Sequence, residues 1–165
     1  MRYAVLGLLD GIITAVGLTS GALISGHPIG LREAVAIAVV VATVDGLTSF
    51  VAEYSHQRAS LRDMEYRISL RSTGRILRSL VHRRALTRSL RSAMLMFLWS
   101  LAGASSVLIP ASIKAAFGLY ALGAVVLAAS VGLARSPAEL GEWLIMLSAA
   151  AAIGLAVGLL SPLAT

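Results

Sequence analysis

The sequence predicts an all-α, polytopic membrane protein, with five transmembrane helices and a cytoplasmic helical hairpin between the second and third. Three observations predict it. The chain of 165 residues is 58% hydrophobic with a mean hydropathy of +0.85, more apolar surface than a soluble domain of this length can hide. The apolar residues fall into five runs, at about 3–26, 31–54, 93–110, 113–134 and 139–162, each close to the ~20 residues that a spanning helix needs. The charge is concentrated: ten of the fourteen basic residues lie between Arg58 and Arg91. Three regions follow, with helices one and two in 1–54, a basic insertion in 55–92, and helices three to five in 93–165. Cysteine is absent, which excludes a disulfide framework, a thiolate metal site and a cysteine nucleophile.

The first run has Arg2 before it and Asp10 inside it, and it is too long for a signal peptide, so it reads as a retained helix. Basic loops stay on the cytoplasmic side. Residues 55–92 and the N-terminus are therefore expected in the cytoplasm and the C-terminus outside, in a multi-pass protein of the cell membrane. The turn Gly26-His27-Pro28-Ile29-Gly30 then lies outside, as does Lys114, while Arg135 falls inside.

The first two helices share a spacing. Tyr3, Gly7, Asp10, Thr14, Gly17 and Gly21 recur at alternating steps of four and three, and Ala38, Ala42, Asp45, Ser49, Ala52 and His56 do the same. Each set is expected on one face of its helix. Small faces suit close packing in lipid. An ionisable residue at membrane depth usually faces a partner, a cavity or an ion. Asp10 and Asp45 are both expected ~12–14 Å from the cytoplasmic side, so antiparallel neighbours would bring the two carboxylates to one depth. The bland alternative is that each aspartate caps backbone or pairs with a buried hydroxyl. With the acids, Thr14, Thr48 and Ser49 offer neutral oxygens.

In the insertion, arginines alternate with apolar residues at helical spacing, and Gly74 is expected to divide two amphipathic helices. Such a hairpin fits anionic lipid head groups. With Tyr66 as its one aromatic residue, it lacks the stacking platforms of a nucleic-acid binder. Glu53, His56 and Gln57 share a helix face, a weak set of oxygen and nitrogen donors for Fe(II) or Mn(II). Asp63 and Glu65 either join this entrance or pair with Arg62, Arg67 or Arg71. His82 reads as a surface residue.

The third run is expected to tilt or break at Ile109-Pro110. Met94 and Met96 open it, as packing rather than ligands. Ser136-Pro137-Ala138-Glu139 reads as a capping box with proline at the first helical position. Gly154 and Gly158 form a small-residue face suited to a subunit contact. No serine–histidine arrangement, phosphate loop or zinc motif is present, so no enzyme activity and no resident cofactor is expected.

The stretch Val5-Leu6-Gly7-Leu8-Leu9-Asp10-Gly11-Ile12 resembles the V-L-G-x-x-D-G-I signature in the first helix of the vacuolar iron transporter family. Ala52-Glu53-Tyr54 is similar to the family's second-helix end. Leu61-Arg62-Asp63-Met64-Glu65 is similar to the motif region after it, and the Gly103 to Ile109-Pro110 stretch to the family's third-helix end. The resemblance implies five membrane helices, a cytoplasmic insertion, and a homodimer with an ion path between subunits. It implies export of ferrous iron or manganese from the cytoplasm in exchange for protons, with Asp10 and Glu53 in the family's acidic positions. The chain departs from the pattern at Ser49, where the family has methionine, and at Asp45, where it has a small residue. Its insertion is short and arginine-rich where the family places glutamates, as in a divergent prokaryotic branch. The expected activity is that of a divalent cation transporter. A scaffold or sensor whose basic hairpin binds anionic lipid or an acidic partner is the alternative.

Overall fold

The computed structural model describes residues 2–25, 29–69 and 80–160. Among these, every regular element is an α-helix: α1 (Arg2–Ser25), α2 (Leu31–Ser69), α3 (Leu80–Ile113), α4 (Ala115–Leu133) and α5 (Pro137–Leu160). All five are long and apolar enough to cross a membrane. The protein is an all-α polytopic membrane protein.

α3 is the centre of the bundle. α1 and α2 pack along it on either side, α4 folds back on it, and α5 closes against α1. α1 and α2, expected as neighbours, touch little; α3 lies beneath the seam between them. The reason is steric. Gly7 and Gly11 bring α1 so near α3 that their α-hydrogens face Met96 and Ser100 backbone, and Gly103 of α3 does the same at the Leu8 carbonyl. In lipid, where burial of apolar surface does not drive helices together, such close backbone contact does. The buried face of α1 is therefore Gly7, Gly11, Ile12, Ala15, Val16 and Thr19, and Asp10 stands at its edge, exposed, rather than on it. On α2 the expected face is buried from Ala38 through Ala42 and Asp45 to Ser49, while Ala52 and His56 beyond it are exposed.

Gly154 packs on the Ile13 carbonyl and Gly158 on Gly17 and Ser20. These glycines serve the α1–α5 crossing within one chain, not a contact between subunits. They had no free face left for a partner once α1 needed a second flat neighbour.

Two helices outrun their apolar spans. α2 continues to Ser69 rather than ending near Tyr54, and α3 begins at Leu80 rather than near Ala93. The extensions remain packed, with Leu61, Ala85 and Ser89 buried between them. The arms of the expected hairpin are thus prolongations of α2 and α3. Gly74, Arg71, Arg75 and Arg78 lie outside the described residues, as does the turn at 26–28. α3 also runs through Pro110 to Ile113 without the expected break. A proline this close to a helix end forgoes one backbone bond, with only a single turn left beyond it. The chain then reverses at Lys114, whose extended backbone (φ −149°, ψ 133°) separates α3 from α4.

The helix starts are capped as their residues dictate. Ser136 Oγ accepts from the Glu139 N–H at 3.3 Å, and the Glu139 carboxylate accepts from the Arg135 N–H at 2.9 Å. This bears out the capping box, shifted by one residue on the carboxylate side. α2 has a similar start that the sequence reading missed: Glu33 accepts from the Gly30 N–H at 3.0 Å. Ser136→Ala is expected to cost about 1 kcal/mol, seen as a small drop in the thermal midpoint with the fold unchanged.

Candidate cation site at the seam of α1 and α2

Three helices contribute to one polar cluster inside the apolar layer. α1 supplies Asp10, beside the buried Gly11. α2 supplies Asp45 on its buried stripe. The two carboxyl groups lie within hydrogen-bonding reach of each other across the seam. α3 supplies the floor: Ser100, 0% exposed, donates its hydroxyl to Asp45 Oδ2. The antiparallel run of α1 and α2 thus brings both acids to one depth, as their spacing predicts, although α3 rather than direct α1–α2 packing holds them there.

One turn along α2, Ser49 is buried, and among the described residues its hydroxyl has no hydrogen-bond partner. A buried polar atom left unpaired is rare and points to a missing water, ion or ligand. Asp45, Ser49 and Glu53 follow at steps of four, so they share a face of α2. They form a ladder of oxygens ~12 Å long from the acid pair to the basic end of the helix.

The ladder ends at a second crossing of the seam. Tyr3 of α1 donates its hydroxyl to Glu53 Oε2, and Gln57 Nε2 donates to Glu53 Oε1 at 2.7 Å. Tyr3 precedes Asp10 by about the same rise as Glu53 follows Asp45, so the two bridges span the seam at two depths. Beside this end, Phe50 stacks on Tyr54 at 6.0 Å, and Tyr54 meets the edge of His82 at 5.9 Å. His82, expected at the surface, is half-buried there because the α3 extension brings it against α2.

The other sequence candidates fall elsewhere or contribute less. Thr14 is half-buried one turn beyond Asp10. Thr48 is exposed and donates its hydroxyl to the Val44 carbonyl. His56 is exposed. Asp63 pairs with Arg67 at 3.0 Å on the exposed α2 extension, away from the seam. The Glu65 side chain lies outside what is described. Among the described residues no three His, Cys, Asp or Glu side chains converge. One chain thus offers a divalent cation two carboxylates and neutral hydroxyl oxygens, a donor set for a hard, oxygen-seeking ion.

Sequence reasoning missed Ser100 and Tyr3 as members of the site, while Gln57 stands beside Glu53 on the face expected for them both. A signal for Ser100 is its place among Ala93, Gly103, Ala104 and Val107, the small buried stripe that makes α3 the central helix. Comparison of the chain with protein-family models, with characterised proteins and with solved structures finds no match in any of the three.

Proposed function

We propose that this protein is a secondary transporter that exports a divalent cation, ferrous iron or manganese, from the cytoplasm in exchange for protons. The observation that carries this reading is the Asp10–Asp45 pair in the apolar layer, held by Ser100 and followed by the unpartnered hydroxyl of Ser49. Acids at this depth are costly and serve ions or protons by default. In the proposed cycle, the two neighbouring carboxyl groups share a proton when no cation is bound. A dication entering the pair displaces that proton, and proton return expels the dication, which is the cycle of an exchanger. Glu53 and Ser49 are the steps between this pair and the cytoplasm, and the Tyr3–Glu53 bond closes the cytoplasmic end.

In this reading the working unit is a homodimer in the cell membrane. Asp10 is exposed on a single chain at a depth where lipid would otherwise meet it. A second copy against the seam removes a carboxylate from lipid and adds a second acid pair to the cation's donors. The arginine-rich extensions of α2 and α3 then face the cytoplasm.

The test is uptake of manganese and ferrous iron into proteoliposomes holding the purified protein, with and without an imposed pH gradient. Uptake that rises with the gradient and saturates with cation supports the exchanger. No uptake of either ion by folded, inserted protein would sink the proposal.

A further inference from the structure

α3 carries a second polar feature, unconnected with the acid pair. Where the helix leaves the apolar layer, a groove of about 560 Å³ is lined by Arg83, Arg84, Thr87, Arg88 and Arg91. All five residues are exposed. Arg84, Arg88 and Arg91 step by four and three, so they share one face over ~10 Å of helix. Like charges at this spacing repel. Among the described residues the one side-chain ion pair is Asp63–Arg67, on α2. Glu53 is near enough to sense the charge of Arg88 but forms no ion pair with it. Thr87 donates its hydroxyl to the Arg83 carbonyl at 2.9 Å, so recognition falls to the guanidinium groups. Four of these in one groove suit a multivalent anion, and their planar forks match phosphate oxygens two at a time.

Position selects the source of the phosphate. Arg91 stands two residues before Ala93, where the apolar run begins. Met94 and Leu98, 53% and 52% exposed, follow Arg91 by three and seven residues and continue the arginine face into the apolar run. A cationic stretch and an apolar stretch thus meet end to end on one side of the helix at the membrane boundary. A lipid can use both, with phosphates on the first and an acyl chain on the second. A soluble phosphate or a nucleic acid would use the arginines alone.

We propose that this groove binds one anionic phospholipid whose headgroup carries two phosphates, of the diphosphatidylglycerol type. Arg84, Arg88 and Arg91 hold the phosphates and an acyl chain lies along Met94 and Leu98. Basic pockets at the ends of membrane helices are where such headgroups settle. The proposal does not depend on transport.

The experiment is native mass spectrometry of the full-length protein in detergent, titrated with diphosphatidylglycerol, phosphatidylglycerol and phosphatidylcholine. One diphosphatidylglycerol per chain is expected to persist, with phosphatidylglycerol weaker and phosphatidylcholine not retained. The double variant Arg84→Gln/Arg88→Gln should weaken the tight lipid by about 30-fold. The charge-matched variant Arg58→Gln/Arg62→Gln, on exposed positions of α2, should change it by less than about 3-fold. All four positions are at the surface, and unchanged helical signal and thermal midpoint will confirm that both variants fold. Equal losses in the two variants would reduce the effect to diffuse charge and overturn the groove. Displacement of the lipid from wild type by inorganic pyrophosphate or an oligonucleotide at lower concentration than the lipid itself would overturn its assignment to lipid.

Discussion

Asp45→Asn is expected to lower manganese uptake into proteoliposomes by at least about 100-fold and to leave the helical bundle folded. The amide has the shape of the carboxylate. Its oxygen still accepts the hydroxyl of the buried Ser100, and its NH2 still reaches Asp10, so Ser100 is not stranded. What is lost is the charge that a dication needs and the proton that it displaces. Asp10→Asn should act alike from the α1 side. Ser100→Ala leaves both acids and removes only their anchor on α3. It is therefore expected to cost about 10-fold, the size of effect seen when a group behind a metal ligand is lost. This ordering separates the two roles of the aspartates. If they served packing alone, Asn would be neutral in flux and Ser100→Ala, which strands Asp45, would be the worst of the three. Wild-type flux through Asp45→Asn in protein of unchanged thermal midpoint would end the transport reading of this site.

The ends of α1, α4 and α5 were legible from hydropathy because these helices stop where the lipid stops. The ends of α2 and α3 were not. Hydropathy reports where a helix meets lipid, not where it ceases to be a helix. Beyond Tyr54 the chain turns polar, yet Leu61 on α2 and Ala85 and Ser89 on α3 are buried, and α2 and α3 pack on each other. The common depth of Asp10 and Asp45 followed from counting residues along two antiparallel rods. The helix that holds them there did not, because glycine faces on α1, α3 and α5 are interchangeable as local patterns, and only the assembled bundle assigns partners. Ser100 was hidden for a similar reason. Helical serines commonly bond back to their own helix, as Ser20, Ser89 and Ser130 do to Val16, Ala85 and Val126. Among the described serines, Ser100 reaches an acid on another helix, and its place on a small-residue stripe marks it as buried without naming that partner.

The same crossing that defines the fold also sets the spacing of the acid pair, so Gly11→Ala is expected to impair both at once. A Cβ at Gly11 would meet the carbonyl oxygen of Ser100 and lie 2.9 Å from the Ala104 nitrogen. These are backbone atoms of a helix interior and cannot swing aside as a side-chain tip can. α1 must instead move off α3. Overpacking of this kind costs about 1–3 kcal/mol, and in lipid the lost backbone contact is a large part of what joins the pair. The displacement falls where function is most sensitive. Asp10 is the neighbour of Gly11 on α1, and Asp45 is tied to Ser100, the residue that the new methyl group would push against. Separation of the helices therefore opens the Asp10–Asp45 distance directly. The expected result is a lowered thermal midpoint together with at least about 10-fold slower uptake, sized as for loss of a group that positions a ligand. Gly132→Ala is the control. Among the described residues no atom outside its own stretch of helix lies within 4 Å of a Cβ there, so alanine's better helix propensity should leave stability equal or up to about 1 kcal/mol higher, with flux unchanged. A Gly11→Ala protein that keeps wild-type stability would overturn the α1–α3 crossing. One that loses stability yet transports at the wild-type rate would uncouple the crossing from the acid pair and move the ion path elsewhere in the bundle.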